Sequence, residues 1–432
     1  MTVSCWQRRE VERLTADYVV VGAGIVGSYA AMCLSQTGAD VVLTDAREPA
    51  AGASGRNAGF LLSGLVQLYH EAVAAYGRPV AREMWQLSVE TRELALALAR
   101  QFGVPAKRCG AYRLAGSRRE ARALAQAARA MEADGFPALF RQGDPWGRGF
   151  QATLHTPDDG VVHPVELVRA IVAHSGATLV EHNEIWEIVP RKSGVLVRGS
   201  RADVEARGAL LALNAYVPLL CPALEELVRP VRGQVLVTAP LAERVLDGAG
   251  YANWGYEYFR QLDDGRFLLG GGRRRFRRQE VGWEDRVTHS VQGELATFLR
   301  RYFPEVAAQS VTMRWSGVMG FTPDGLPLVG RLPRRARGRR GDGLQRSRHG
   351  VGPEGGRAGG GPAARRHVAR RARPGAVAVS RQRRWNGGAD HGHVASPGDA
   401  RSQLELARAS RAPHLRRDDP GGDRRPAAGA RP

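Results

Sequence analysis

The stretch "DYVVVGAGIVG", Asp17 to Gly27, decides the fold of this chain. Asp17 to Val21 opens a β-branched run whose continuous apolar character suits a parallel strand covered on both faces. It runs straight into Gly22-x-Gly24-x-x-Gly27. The following "IVGSYAAMCLSQTG" carries helical spacing and stops at Gly38, and "ADVVLTDA" reads as a second strand ending in Asp45. Strand, glycine turn, helix, strand and acidic residue at this separation form a dinucleotide-binding unit. Gly22 permits the tight turn, Gly24 lets backbone N–H groups approach a pyrophosphate, and Gly27 lets the helix sit close to the strand, whose positive N-terminus faces the phosphates. Asp45 is placed to accept hydrogen bonds from ribose hydroxyls.

The next segment, "AREPAAGASGRNAGFL", is rich in small residues and has no helix-length apolar pattern between Ala46 and Gly59. Such a loop can follow an extended cofactor with its backbone amides and with Ser54, Arg56 and Asn57. Further along, "RPVRGQVLVTAPL", "YANWGYEYFRQL" and "GRFLLGGG" read as strands of a second sheet joined by short turns. "SRREARALAQAARAMEADG" and "VQGELATFLRRYFP" read as amphipathic helices with solvated basic faces.

The formal net charge of +20 suggests a polyanionic partner until its distribution is counted. Residues 334–432 hold 24 Arg against 8 acidic residues, so +16 of the total lies there, and about +4 belongs to the rest. That stretch has no Lys, Ile, Phe, Tyr, Met or Cys and a single aromatic residue, Trp385, too little to build a core. Cys5, Cys33, Cys109 and Cys221 form no CxxC pair, which argues against a zinc site or a disulfide scaffold and for reduced thiols in a cytoplasmic protein. No run approaches the ~20 apolar residues of a membrane span, and the N-terminus has no apolar signal core.

The order of landmarks "VVVGAGIVG", "GASGRNAG", "TPDDGVVHPVELVRAI", "LALNAY", "RPVRGQ", "YFRQLDDGRFLLGG" and "RWSGVMGFTPDGLPLVGR" resembles the FAD-dependent oxidoreductases of the D-amino-acid oxidase family over about residues 16–333. The resemblance implies a Rossmann-type α/β FAD-binding domain interleaved with a mixed-sheet α+β substrate domain. It implies FAD contacts from Gly22, Ala23, Gly24, Ile25, Val26, Gly27, Asp45, Ala46 and Arg47, where Asp45 replaces the family's more usual Glu. Ser54, Gly55, Arg56, Asn57, Ala58 and Gly59 would line the pyrophosphate and flavin edge. Ile185 would offer its backbone to the adenine, Asn214 stands where many members have Gly, and Gly317 lies at the flavin. No His or Cys occurs in "GASGRNAG", so the FAD is expected to be non-covalent.

Family likeness also implies a division into FAD-binding parts at 16–80, 146–222 and 313–333, a mainly helical part of the substrate domain at 81–145, and its sheet at 223–312, with an N-terminal extension at 1–15. The substrate strand would offer Tyr258 or Arg260. Where members that oxidise small amino acids carry a carboxylate-gripping Arg, this chain has Met319. The implied chemistry is hydride transfer from an amine C–H to the flavin, giving an imine that hydrolyses, with oxygen or another acceptor taking the electrons. A nicotinamide-dependent Rossmann dehydrogenase would share the glycine turn, and a nucleic-acid-binding protein would use the basic tail, but neither accounts for "GASGRNAG" and "TPDGLPLVGR".

Pro333 marks an abrupt change in chemistry. Family members continue past "TPDGLPLVGR" into a strand and a GHG-like turn, and a frame shifted by one base over Arg334 to Gly356 can spell "FNGHGMGWGLKAG". Asp342-Gly343 and His349-Gly350 must each give Met or Thr in that frame, and Ser347-Arg348 permits the His of GHG. A frameshift near Pro333 is therefore expected, with a disordered tail and impaired oxidation in the chain as written.

Overall fold

The structure, a computed structural model, describes residues 11–332; the frameshift and tail readings lie outside them. The valine run ends β1 (Glu12–Val21), which sits inside a six-stranded sheet ordered β10 (Ile185–Pro190), β11 (Val195–Gly199), β12 (Ala202–Leu211), β1, β2 (Val41–Thr44), β9 (Thr178–Val180). Strands β12, β1, β2 and β9 are parallel. At one edge β10 and β11 extend this parallel core as an antiparallel meander. The unbroken valine run has its reason in two-sided burial. Val20 packs with Ala31 of α1 (Ile25–Ser35) and Leu43, whereas Val19 and Val21 pack on the other face with Val42, Val197 and Val204.

A second, eight-stranded sheet has the order β17 (Val311–Phe321), β13 (Arg229–Pro240), β16 (Arg266–Gly271), β15 (Glu257–Gln261), β14 (Ala249–Ala252), β5 (Ala111–Ala115), β7 (Ala152–Thr156), β6 (Leu139–Gln142). Only β14–β5 is parallel. One face is covered by α7 (His289–Tyr302), with Phe298 against Phe259 and Phe303 against Phe267. Near β5 and β7 the other face packs on α2 (Tyr69–Tyr76), α3 (Arg78–Gln101) and α4 (Arg118–Ala133). The small strands β3 (Phe60–Leu61), β4 (Ala106–Arg108) and β8 (Gly160–Val162) form a third sheet beside α5 (Pro164–Ala173), and the short helices α6 (Val217–Leu220) and α8 (Pro304–Ala307) complete the set.

Three boundaries inferred from likeness move. β1 begins at Glu12, inside the supposed extension, because Glu12 to Ala16 pair with Ala202 to Ala206. β7 pairs with β5 and β6, so residues 152–156 belong to the eight-stranded sheet. β17 runs beside β13 from Val311 to Phe321, so the division expected at 313 falls inside a substrate-sheet strand.

The β14–β15 hairpin, which aims Tyr251 and Tyr258, turns on two consecutive left-handed residues, Asn253 (φ 52°) and Trp254 (φ 63°). Two buried carboxylates hold it. Glu120 accepts the Trp254 and Gly116 N–H groups, and Glu257 accepts the Asn253 amide at 2.7 Å. Burial pushes the Glu257 carboxyl up to about 7, against the opposing Asn253 hydrogen bond. Because the folded-state value exceeds the unfolded one, Glu257's contribution to stability is present below pH 4.5 and lost as pH rises through about 7. Glu257→Gln should therefore gain stability over the parent by roughly 1–3 kcal/mol at pH 8 and much less at pH 5. Thermal unfolding of both proteins at the two pH values checks this.

Candidate functional site

The glycine turn forms a cradle that side chains cannot enter. Gly22 has φ 109°, and a Cβ there would lie 2.6 Å from the Ala212 carbonyl oxygen. A Cβ on Gly27 would lie 1.8 Å from the Gly22 oxygen, so the helix could not sit so close to the strand. Gly24 is different. Its imagined Cβ meets only the Ser54 side chain, with the hydroxyl at 3.0 Å, so protein packing alone demands little of this position. Its bareness fits a bound group lying against the start of α1, where Ile25 and Val26 are exposed. The turn, the helix N-terminus and the acidic residue thus fit a dinucleotide on observations of this structure.

Asp45 is already engaged. Its Oδ2 accepts the Ala23 N–H at 2.7 Å and its Oδ1 the Arg47 N–H at 2.9 Å, which ties the end of β2 to the turn. Each oxygen keeps a second lone pair for a ribose hydroxyl. Ala46 and Arg47 are exposed beside it. The segment leading to Ile185 comes alongside: His182 N donates to the Arg47 oxygen at 3.2 Å and Asn183 N to the Asp45 oxygen at 2.8 Å. Asn183 is a buried hub that sequence reasoning missed. Its amide reaches Thr44 Oγ1 and the Ala202 oxygen, and its Oδ1 accepts the Arg201 and Ala202 N–H groups.

In the loop after β2, Ser54 reaches the start of α1, while Asn57 and Arg56 bond to the loop itself and to β17. Ser54 Oγ accepts the Ile25 N–H at 2.9 Å. Asn57 accepts from Gly59 N at 2.7 Å and donates to the oxygens of Ala53 and Ser54. Arg56 reaches away from the turn: its Nε donates to the Ala51 oxygen at 2.9 Å, its Nη1 to the Ser316 oxygen at 2.9 Å, and it pairs with Asp285. Burial raises the Asp285 carboxyl, but hydrogen bonds from Ser316 and Arg56 outweigh it and hold the group below its ordinary value. Trp315 closes the clamp by donating to the Arg56 oxygen at 3.0 Å. Gly55 and Gly59 lie against Ala50 and Val162 oxygens, each 2.2 Å from an imagined Cβ. Ala58 is buried against Val235, Val237 and Leu268 of the eight-stranded sheet.

Asn214 adopts φ 48°, the left-handed backbone that a Gly would take most easily. Its side chain binds β17, accepting the Gly320 N–H at 3.0 Å and donating to the Val318 oxygen at 3.4 Å. Gly317 faces Arg56, whose Cβ would be 3.0 Å from a side chain there. Tyr258, Arg260 and Met319 share the face of the eight-stranded sheet that meets Gly59 and Phe60. A Cβ on Gly233 would lie 2.9 Å from Met319 Cε and 3.7 Å from the Tyr258 hydroxyl. Phe60 stands edge-on to Tyr251 and Tyr258, with ring centroids at 5.4 and 6.4 Å. Arg260 Nη1 is spent on the oxygens of Ala58 (3.2 Å), Gly59 (3.4 Å) and Val162 (3.4 Å). A largely apolar cavity of about 480 Å³ adjoins the loop, lined by Ser54, Asn57, Gly59 and Phe60 on one side and by α3, α5 and Leu326 on another.

The family described as FAD dependent oxidoreductase matches residues 17–352. The chain is 26% identical over 342 residues to gamma-glutamylputrescine oxidoreductase of Escherichia coli (strain K12), covering 74% of this chain and 78% of that protein. It is 26% identical over 332 residues to glycine oxidase of Pseudomonas putida (strain KT2440), covering 74% and 87%. The solved glycine oxidase from Geobacillus kaustophilus superposes with a TM-score of 0.63 at 22% identity over 75% of this chain and 87% of that one, a likeness of fold. No helix among the described residues is long and apolar enough to cross a membrane.

Asp285→Asn keeps the Ser316 contact but removes the charge opposite Arg56. The pair is partly exposed, so its loss is worth up to about 1 kcal/mol. Amide hydrogen exchange in residues 51–59 should accelerate by up to about fivefold, with the six-stranded sheet unchanged.

Proposed function

The chain belongs to the DAO family of FAD-dependent oxidoreductases, and on that premise we propose that it oxidises primary or secondary amines, including N-substituted amino acids, at the carbon beside nitrogen. The nicotinamide-dependent and nucleic-acid-binding readings have no support from this family. The observation that carries the substrate reading is Met319. On the strand whose equivalent offers a carboxylate-gripping Arg in relatives that resemble it, this chain presents a thioether toward Gly233 and the Tyr258 hydroxyl. A thioether cannot bind a carboxylate. Arg260, the other cation on this face, turns its Nη1 to three carbonyl oxygens, which leaves Nε and Nη2 as its open donors.

The residues proposed to hold FAD are Gly22 to Gly27 at the pyrophosphate, Asp45 at the ribose, the backbone near Ile185 at the adenine, and Ser54 to Gly59 along the flavin. Non-covalent binding is inferred from the lack of His or Cys in that loop. FAD, when bound, supplies the two-electron acceptor for the hydride leaving the amine carbon. The chain's part is to position and desolvate. Phe60, Tyr251 and Tyr258 give an aromatic surface on which an alkylamine can lie. Burial raises the Tyr258 phenol above its ordinary value, so it stays neutral and hydrogen-bonds the amine without acting as a base. Loss of hydride from a neutral amine leaves an iminium ion; water adds to its carbon and the C–N bond breaks, giving a carbonyl compound and ammonium or a smaller amine. Oxygen or another acceptor takes the two electrons.

The purified full chain should carry flavin absorbance that acid precipitation releases, and Gly24→Val should lose it, since a side chain would occupy the phosphate's place; stoichiometric flavin in that variant refutes the assignment. In an oxidation panel, N-alkyl amino acids and alkylamines should be turned over better than glycine, and Met319→Arg should shift the preference toward glycine. A parent enzyme that prefers glycine overturns the substrate reading.

A further inference from the structure

One cation on the substrate face has no anion. Register places Trp315, Val235, Gly270, Tyr258, Tyr251 and Arg113 in one cross-strand row from β17 to β5, and residues in such a row project to the same face. Arg113 continues the line of Tyr258 and Tyr251 beyond the aromatic surface. Among the described residues its guanidinium, which is half-buried and open to water, makes no hydrogen bond or ion pair. The carboxylates whose field reaches it are Asp159 and Glu71. Both are spent. Asp159 takes Arg92 at 2.8 Å, Ser63 at 2.9 Å and Thr156 at 2.6 Å, and Glu71 takes the Leu68 N–H at 3.0 Å. The hydroxyls of Tyr251 and Tyr258 likewise have no hydrogen-bond partner among the described residues.

Among the described residues the buried arginines Arg92 and Arg232 and the half-buried Arg260 all have partners. Arg92 pairs with Asp159, Arg232 with Glu280 at 2.8 Å, and Arg260 binds three carbonyls. Burial lowers the proton affinity of Arg113, yet a guanidinium stays charged in any protein setting. Arg113 is only half-buried, so water still reaches its guanidinium, and a ligand carboxylate would replace that water with a charged partner.

Resting on the amine-oxidation reading above, we propose that Arg113 binds a carboxylate of the substrate and selects amines that carry this carboxylate several bonds from the oxidised carbon. The strands of Tyr258 and Arg113 are two spacings, about 10 Å, apart. A hydrogen bond of about 2.8 Å to the guanidinium covers part of that gap, and a chain of about four to six bonds covers the rest. The α-carboxylate of glycine is too close to its own C–H to reach. Met319 and Arg113 therefore act in the same direction, one withdrawing a carboxylate site near the reacting carbon and the other supplying one farther away.

The test is equilibrium binding to the full chain under anaerobic conditions, by calorimetry, of 4-aminobutanoate, 5-aminopentanoate and 6-aminohexanoate against n-butylamine, n-pentylamine and n-hexylamine. The tightest amino acid should bind about tenfold or more tighter than the alkylamine of equal length. Arg113→Gln should remove that advantage and leave the alkylamine unchanged, and Arg113→Lys should keep part of it. Equal affinities in the parent, an equal loss for both ligands in Arg113→Gln, or no measurable binding of any of the amino acids overturns the proposal. If Arg113→Gln does not fold, the parent's discrimination and Arg113→Lys decide. Flavin absorbance of the same samples separates the two readings: a chain without FAD refutes the oxidase assignment, whereas discrimination lost in a flavin-loaded chain refutes only the role of Arg113.

Discussion

The Asp285 carboxylate is shared by the Arg56 guanidinium and the Ser316 hydroxyl, and through them the loop after β2 is fastened to β17. The two large sheets are brought together at this loop. It must be thin enough to lie between them, which is why Gly55 and Gly59 each approach a carbonyl oxygen too closely for a side chain. Gly317 makes the same concession from the opposite side, where the Arg56 stem passes over it.

The two fully buried arginines of the described residues are each paired with a carboxylate. Arg232 and Glu280 are each 1% exposed, and the remaining donors of Arg232 reach the Glu284 and Gln279 oxygens, so the segment carrying Asp285 is itself anchored on β13. Arg92 and Asp159 do the same between α3 and the turn before β8, with Ser63 and Thr156 filling the remaining acceptor positions. Removing one partner from such a pair typically costs about 3–5 kcal/mol, because the other is left charged and dry.

Catalysis in this arrangement belongs to placement. Tyr258 lies over Gly270, where any side chain would collide with its ring, and its hydroxyl is directed past Gly233 toward Met319. Phe60, next to the cofactor loop, meets the same ring from the side. The strained hairpin at Asn253 and Trp254 keeps Tyr251 and Tyr258 as neighbours on adjacent strands, with ring centroids at 6.0 Å. The backbone strain at the hairpin is held by buried carboxylates well away from solvent, which links the geometry of the substrate face to the ionisation of Glu257.

The sequence by itself determined the dinucleotide unit, because its signals are local: a valine run long enough for one strand, glycines at positions where a Cβ would strike backbone, and an acidic residue at the end of the next strand. The strands 229–240, 257–261 and 266–271 and the helices 118–133 and 289–302 were legible for the same reason, since alternation and helical spacing are properties of a few consecutive residues. Tertiary structure alone decided the partners. Asp285 in "GWEDRV" and Asn183 in "EHNEI" carry no pattern that distinguishes them from surface polar residues, and their roles arise from contacts 229 and 139 positions away in the chain, with Arg56 and Thr44. The same holds for Arg260, whose sequence context reads as a strand cation available to substrate, whereas the structure sets its Nη1 against three carbonyl oxygens. A charge acquires its meaning from what surrounds it in space, and no spacing along the chain records that.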